Sequence, residues 1–527
     1  MKLRSKRITL TIHKTIYSKD HIFLLMISLV QSFVLAMILV SSSCSSDLVR
    51  SASNEQLNTV VIKPGETLRG LEDFHWGFNA QMMRGPSWKA SGFVEQVSKL
   101  NPQVIRYPGG TVASYWDWEA GWLQDGIELQ NAWKNIPRSP ITLEDLKWAC
   151  DHTGAKPVFV LNMIHSNIKE QLRMLRHADS IGLQIEMVEF DNEVYLGREV
   201  YAKRFADADA YVKECAVWQT MIQKEFPGIK FGFAAHASRG QGGNSSKKYV
   251  VRTTNWNRAL NLSGHEGNAI ILHNYSGSGL RYLSGNKDRS DLELWNKTFN
   301  DSATPEVILG IPFSTWSDLQ NSDIKYFGPD RKIWITEYNM FEREGIVAGT
   351  WTHGLYALLQ TLLMTADPQV ELLCYHNLVT SAQFGAIYYS NDAFHKALHP
   401  VPTQLYGLSA AGMTLAIYGE ALNKSDKIQQ LSIENNEMNS TFRGRKYPDV
   451  IGFSFNKPSS SDLLLLNLSD QKKAIKLEGI RGSNFQYQHA SCSPTEKVAF
   501  EKDVIIKKGQ GVPETLPAYS VTLISAF

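Results

Sequence analysis

"VEFDNEVYLG", residues 188–197, sets Glu189, Asp191, Asn192 and Glu193 among apolar neighbours. The stretch reads as a buried strand, and a buried strand does not carry so much carboxylate without a use for it. A parallel α/β barrel offers one use. Its active site gathers at the C-terminal ends of the strands, so a strand that closes on polar residues delivers them to the mouth.

The strand itself is "IEMVEF" (185–190), and seven further runs of strand character accompany it. They are "FHWGFNA" (74–80), "QVIRYPG" (103–109), "KPVFVLNM" (156–163), "KFGFAA" (230–235), "AIILHNY" (269–275), "KIWITEYN" (332–339) and "VELLCYHNL" (370–378). Amphipathic stretches alternate with them, among them "SGFVEQVSKL", "NIKEQLRMLRHADSIG" and "LYALLQTLLMTA". "TLEDLKWACDHTG" opens on Thr142 as an N-cap and ends at Gly154. Eight β runs, each followed by a helix or long loop, predict an α/β fold, a (β/α)8 TIM barrel over residues 73–424. An open doubly wound sheet is the weaker alternative, because no glycine-rich phosphate turn follows the first strand. "RGQGGNSSKK" (239–248) is rich in glycine, but its spacing is wrong for a phosphate loop, and it reads as a flexible loop at the barrel mouth.

From residue 425 the texture changes. "DVIGFSFNK", "DLLLLNLSD", "KAIKLEG" and "YSVTLISAF" are short strands with polar turns and no long helix between them. Residues 425–527 therefore predict a β-sandwich, and "NTVVIK" within the segment 57–72 adds a strand to it.

The N-terminus reads as a targeting segment. Lys2, Arg4, Lys6, Arg7, Lys14 and Lys19 precede an apolar run at 22–40, and "SSSCSS" follows. Residues 1–44 then form a signal segment and 45–56 a polar tether. Cys44 after small residues resembles a bacterial lipoprotein site, with Ser41 where an aliphatic residue is usual. The resemblance implies a chain held in the outer membrane or periplasm by acylated Cys44. A secreted protein and an uncleaved membrane anchor are the alternatives; in each the barrel faces outside the cytoplasm. Cys150, Cys215, Cys374 and Cys492 are widely spaced, form no CxxC, and read as buried free thiols. The formal net charge of +2 gives no electrostatic case for a nucleic-acid partner. No Cys/His cluster has zinc spacing and no phosphate loop is visible, so no metal or cofactor is expected.

The polar residues that close the runs are Asn79, Arg106, Asn192-Glu193, His273 with Tyr275, Glu337, and Tyr375-His376-Asn377. Two glutamates at the ends of the fourth and seventh strands face each other across a barrel mouth. That pairing suits glycoside hydrolysis, in which one carboxyl protonates the leaving oxygen and the other attacks the anomeric carbon or activates water.

"FDNEVY" and "WITEYN", with "VIRYPGG" before them and "HNY" between, resemble the clan A retaining glycoside hydrolases, and among these the α-L-arabinofuranosidases. "TVASYWDWEAGW" after the "RYPGG" turn and the terminal "LPAYSVTLI" belong to the same resemblance, which spans residues 57–527. It implies Glu193 as acid/base and Glu337 as nucleophile. It implies Asn192 as the residue that binds the sugar 2-hydroxyl, Tyr275 as a donor to the nucleophile, and Arg106 as the cation that keeps the nucleophile ionised. His273 would lie near the acid/base. Two departures stand out: Asp191 replaces the usual glycine, and "CYHNL" lacks the tryptophan many members place under the sugar.

Asn79 is a further sugar-binding candidate at the end of the first strand. Trp116, Trp118 and Trp122 are core side chains or a sugar platform, with Trp118 the platform candidate. Glu342 and Glu344 read as part of a solvated loop. Asp191 is either a barrel-interior ion-pair partner or a direct sugar contact. Because residues 189, 191 and 193 share one face of an extended strand, at least one of them needs a partner inside the barrel. The expected substrate is an oligo- or polysaccharide of plant or algal origin. α-L-Arabinofuranoside leads, with β-xyloside, β-glucuronide and agar-type substrates behind it, and a non-catalytic carbohydrate-binding barrel as the rival reading.

Overall fold

The computed structural model describes residues 58–526, apart from 72–74, 81–82, 84, 238–246, 263–267, 343, 380–384, 390–405, 424, 459, 481 and 483. The expectations for residues 1–44, Cys44, the tether and most of the glycine-rich stretch 239–248 lie outside the described residues. None of the described helices is long and apolar enough to cross a membrane.

Eight parallel strands close a barrel in chain order. They are β1 (Trp76–Asn79), β2 (Val104–Tyr107), β3 (Lys156–Val160), β4 (Met187–Phe190), β5 (Lys230–Ala234), β6 (Ala269–Ser276), β7 (Ile333–Met340) and β8 (Val370–His376). Each coincides with one of the eight runs read from the sequence. Helices return the chain between them: Phe93–Lys99, Leu143–Thr153, Ile168–Ser180 and Ala208–Glu225 serve the first half. Thr142 caps Leu143–Thr153 through the N–H of Asp145, and Gly154 ends it in the left-handed conformation.

The barrel interior is layered. Val104, Val158, Met187, Ala269, Ile271, Trp334, Leu372 and Cys374 form one buried apolar cluster. Trp334 fills so much of this layer that a Cβ on Gly232 would meet its ring at 2.6 Å, so β5 carries glycine there. Two residues further along several strands, the inward positions turn polar: Arg106 follows Val104, Glu189 follows Met187, and His273 follows Ile271. The active-site candidates therefore stand on a dry floor.

Eight of the C-terminal strands and Thr59–Gly70 make one nine-stranded sheet, while Met438–Ser440 and Lys446–Pro448 pair separately. Thr59–Gly70 pairs antiparallel with Lys427–Glu434 and parallel with Lys473–Leu477. In "DLLLLN", Leu464 and Leu466 join the main core while Leu463 and Leu465 join a second cluster with Ile62, Leu431 and Leu516. Ile475, Leu477 and Phe485 from strands near the sheet edges pack against that second cluster. The sandwich is thus a single sheet folded over itself, and a continuous leucine run is what a strand buried on both faces requires.

This domain grips the barrel through the segment after β7. Lys497 Nζ donates to the carbonyls of Gly345, Ile346 and Ala348, and burial holds its amine down to about 8. Glu342 accepts the N–H groups of Val347 and Ala348, each at 2.9 Å, and is 3% exposed. It is not part of a solvated loop; three successive backbone donors at 346–348 draw its carboxylate inward. Glu344 faces Arg289 at 3.6 Å. Cys150, Cys215, Cys374 and Cys492 are free thiols, the first three buried.

Candidate active site

The end of β4 does not continue as an extended strand. Asp191 has φ 61° and Glu193 φ 48°, both left-handed. Residues 189, 191 and 193 consequently do not share a face, which corrects the alternation expected of an extended chain. Glu189, still on the strand, points into the barrel and pairs with Arg106 at 2.7 Å, both side chains fully buried. Among the described residues Asp191 forms no ion pair, and its carboxylate turns to hydroxyl and backbone donors instead. Its carboxylate accepts Ser114 Oγ from the loop after β2, the Met163 N–H from the loop after β3 and the Asn192 N–H, both at 2.7 Å. It fastens three loops at the mouth. The positive φ also explains why glycine is at home in this position and why aspartate, whose side chain bonds its own backbone, can replace it.

Glu337 reaches the same pocket by a different device. The ladder between β6 and β7 slips between Trp334 and Glu337, and the ladder between β7 and β8 slips between Ile335 and Tyr338. Trp334 and Thr336 point inward by alternation; the irregularity re-aims Glu337 as well. Its Oε1 accepts Arg106 at 2.9 Å and Asn79 Nδ2 at 3.2 Å, and its Oε2 accepts the Tyr275 hydroxyl at 2.8 Å. A Cβ on Gly110 would stand 2.3 Å from Oε1, so the second glycine of "RYPGG" is required by the close approach of this carboxylate. Burial raises the pKa of Glu337, but His273, His376, Arg106 and the Tyr275 hydroxyl outweigh it and hold the carboxyl down to about 2.

Arg106 is the hub. Its Nε and Nη2 bind Glu189, its Nη1 binds Glu337, and Nη2 also donates to Asn192 Oδ1 at 2.8 Å. Burial disfavours its charge, but the two carboxylates more than compensate and raise its pKa. Asn192 is left with Nδ2 buried and unpartnered, a donor available to a ligand.

Glu193 is more open, its side chain 14% exposed. It accepts His273 Nδ1 at 3.0 Å and the Tyr195 hydroxyl at 3.2 Å. His273 Nδ1 also stands 3.7 Å from Glu337. Burial opposes the charge of His273, yet Glu337 and Glu193 raise its pKa above the ordinary value. The ligand atoms of Glu193, His273 and Glu337 all lie within 4.8 Å of one another. Three such groups also have the spacing of a metal site. Glu337, however, already accepts an arginine, an amide and a phenol, a setting built for a free carboxylate rather than a metal ligand.

The structure thus brings Glu193, Glu337, Asn192, Arg106, Tyr275, His273 and Asn79 together. Trp118 stands elsewhere. It packs on His177 at 5.6 Å and under the Arg173 guanidinium at 5.3 Å, both on the outer helix Ile168–Ser180, so its recorded contacts give no role as a platform beside the glutamates. Trp116 and Trp122 are buried core. Three members of the site were given no site role from sequence: Glu189 and His376, noted only as polar residues near strand ends, and Gly110. His376 Nδ1 lies 2.7 Å from Asn79 Nδ2 and 3.7 Å from Glu337, and burial lowers its pKa. Its place at the end of the eighth run was the available signal.

No protein-family model matches the chain, and no curated protein sequence does. Solved structures do resemble it. An alpha-L-arabinofuranosidase from Thermotoga maritima, solved as an arabinose complex, aligns with TM-score 0.62 at 15% identity, over 89% of this chain and 99% of that one. A family 51 alpha-L-arabinofuranosidase from Bifidobacterium longum aligns with TM-score 0.64 at 12% identity, over 89% and 99%. A family 44 endoglucanase from Clostridium thermocellum aligns with TM-score 0.54 at 12% identity, over 89% and 100%. At such identities the likeness is one of architecture: this chain has the fold of those glycoside hydrolases, an eight-stranded parallel barrel joined to a C-terminal sheet domain.

Proposed function

We propose that the barrel is a retaining glycoside hydrolase that cleaves sugars from plant or algal polysaccharide, with Glu337 as nucleophile and Glu193 as acid/base. One observation carries this reading. Oxygens of the two carboxylates lie within 4.8 Å of each other, in opposite surroundings. Retention needs carboxyls about 5–5.5 Å apart, whereas inversion needs about 6.5–9.5 Å to seat a water. Arg106 and Tyr275 lie on Glu337 and hold it ionised. Glu193 stands nearer solvent, its side chain 14% exposed, as a group that must give and regain a proton does.

The chemistry follows in two displacements. Glu337 attacks the anomeric carbon as Glu193 protonates the departing glycosidic oxygen, leaving a glycosyl ester on Glu337. Water, deprotonated by Glu193, then attacks the same carbon and frees Glu337. Arg106 is shared between Glu189 and Glu337, so it stays in place while the charge on Glu337 is consumed and restored. The Asn192 amide is positioned to bind a sugar hydroxyl beside the reacting carbon.

α-L-Arabinofuranosides are the leading substrates, supported by the sequence motifs and by the shared architecture. β-Xylosides, β-glucuronides and agar-type substrates come next. A panel of aryl glycosides, with the anomer of the first-formed product read by NMR, tests both sugar and mechanism: retained configuration is expected, and an inverted product would refute the assignment. We place the enzyme outside the cytoplasm, held by lipid on Cys44. Incorporation of a palmitate probe that disappears in Cys44→Ser is the expected result, and incorporation that persists would refute it.

A further inference from the structure

The loop that carries Glu193 also carries Arg198, and the surroundings of Arg198 are unlike those of a structural cation. Among the described residues it forms no ion pair with a carboxylate. Its guanidinium lies 5.5 Å over the ring of Tyr201. It also approaches the hydroxyl of Tyr115, as does the amide of Gln130 from the loop after β2. Arg198 Nη1 and Gln130 Nε2 are both buried with no hydrogen-bond partner. One hydroxyl between these two buried donors leaves N–H groups on both for a further acceptor.

The walls of this place are aromatic. Tyr115 meets Trp133 edge-on at 5.1 Å and His165 at 4.8 Å. His165 Nδ1 is fixed on the Ser114 carbonyl at 2.6 Å. Tyr115 follows Ser114, whose hydroxyl holds Asp191, so the wall is tied to the loop that positions Asn192 and Glu193. All these residues follow the C-terminal ends of β2, β3 and β4, on the acid/base side of the mouth. An acid must reach the glycosidic oxygen, so the leaving group lies on the side of its own loop.

We propose that Arg198 and Gln130 form a subsite for a carboxylate on the leaving-group side, so that the polysaccharide hydrolysed here bears uronic acid. This rests on the glycosidase reading and names its substrate class. A neutral hydroxyl needs no guanidinium. The planar fork of arginine, with an amide donor beside it, matches a planar carboxylate.

The test uses the full chain carrying Glu337→Gln, which stops turnover, and isothermal titration calorimetry with two probes. One is a xylo-oligosaccharide bearing a single glucuronic acid; the other is the same compound with its carboxylate reduced to the alcohol. The acidic probe should bind about tenfold or more tightly, with an affinity that falls as salt rises. Adding Arg198→Gln should erase that preference, and Arg198→Lys should keep part of it. Binding of the reduced probe in each variant reports that the fold is intact. Equal affinity for the two probes would overturn the proposal, and so would an Arg198→Gln effect equal on both. Preference for a sulfated oligosaccharide of equal length would overturn the carboxylate. If the wild-type protein cleaves aryl glycosides but shows no acidic preference, this subsite fails and the glycosidase stands. If it discriminates the probes but hydrolyses no glycoside, the glycosidase reading fails instead.

Discussion

The ends of β4 and β7 both deliver a glutamate to one pocket, and they do so in contrasting ways. β7 is eight residues long and buried throughout, and a slip in its pairing turns Glu337 inward against three donors. β4 is four residues long and stops at Phe190; two left-handed residues then swing Glu193 out to a histidine and a tyrosine. The difference is what the proposed division of labour, with Glu337 as nucleophile and Glu193 as acid/base, calls for. A nucleophile has to be ionised and still, so it sits on a strand under an arginine. An acid/base has to exchange protons, so it sits on a turn nearer water. The cost of the turn falls on Asp191.

The most damaging change should be Glu337→Gln. It keeps the hydrogen-bonding shape but removes the attacking anion, and kcat/KM on aryl glycosides should fall about 10⁴-fold or more with an unchanged circular dichroism spectrum. Residual activity within an order of magnitude of wild type would remove β7 from the chemistry. Next comes Arg106→Met, which strips the cation from two buried carboxylates at once. Breaking a buried pair of this kind costs roughly 3–5 kcal/mol, readable as a lower urea midpoint. The loss should shrink in acid, because Glu337 takes up a proton only as pH falls toward about 2 and the variant raises that threshold. Glu193→Ala should reduce turnover about 10²–10⁴-fold on substrates with poor leaving groups and far less on activated ones. Azide should restore part of the rate and give a glycosyl azide of retained configuration; an inverted azide would contradict the two roles.

Much of this contrast was legible in the sequence. The eight strands were, because alternation of apolar runs with amphipathic stretches needs no tertiary context. Glu193 and Glu337 were, because strand ends in a barrel converge. What hid was the detail of the backbone. "VEFDNE" looks continuously extended, and nothing in the letters announces that φ turns positive at Asp191 and Glu193. Glu342 looked solvated because its neighbours are polar, yet its partners are backbone N–H groups, which every sequence contains. Trp118 looked like a sugar platform by its place after "RYPGG", but its ring lies on the helix after β3, a direction that a loop sequence does not specify.

The smallest expected effect concerns the turn itself, and its sign separates the two ends of the pocket. Burial pushes the Asp191 carboxyl up to about 6, against an ordinary value of 3.8, although Ser114 and the backbone donors pull it down. The folded protein therefore binds a proton here more readily than the unfolded chain does. Above pH 6 both states are ionised and the fold bears the full cost of the buried charge. As pH falls from about 6 to about 4 the folded state protonates first, and that cost disappears. Glu337 has the opposite sign: its depressed pKa contributes stability above about 4.5 that is lost as pH falls toward 2. The two windows scarcely overlap. Asp191→Asn cannot titrate and turns a donor toward the N–H groups that the carboxylate now accepts. Its stability deficit relative to wild type should therefore widen by about 2 kcal/mol between pH 7 and pH 4, measured by urea unfolding. A deficit independent of pH over that range would mean that the turn at β4 holds its carboxylate as comfortably as β7 holds Glu337.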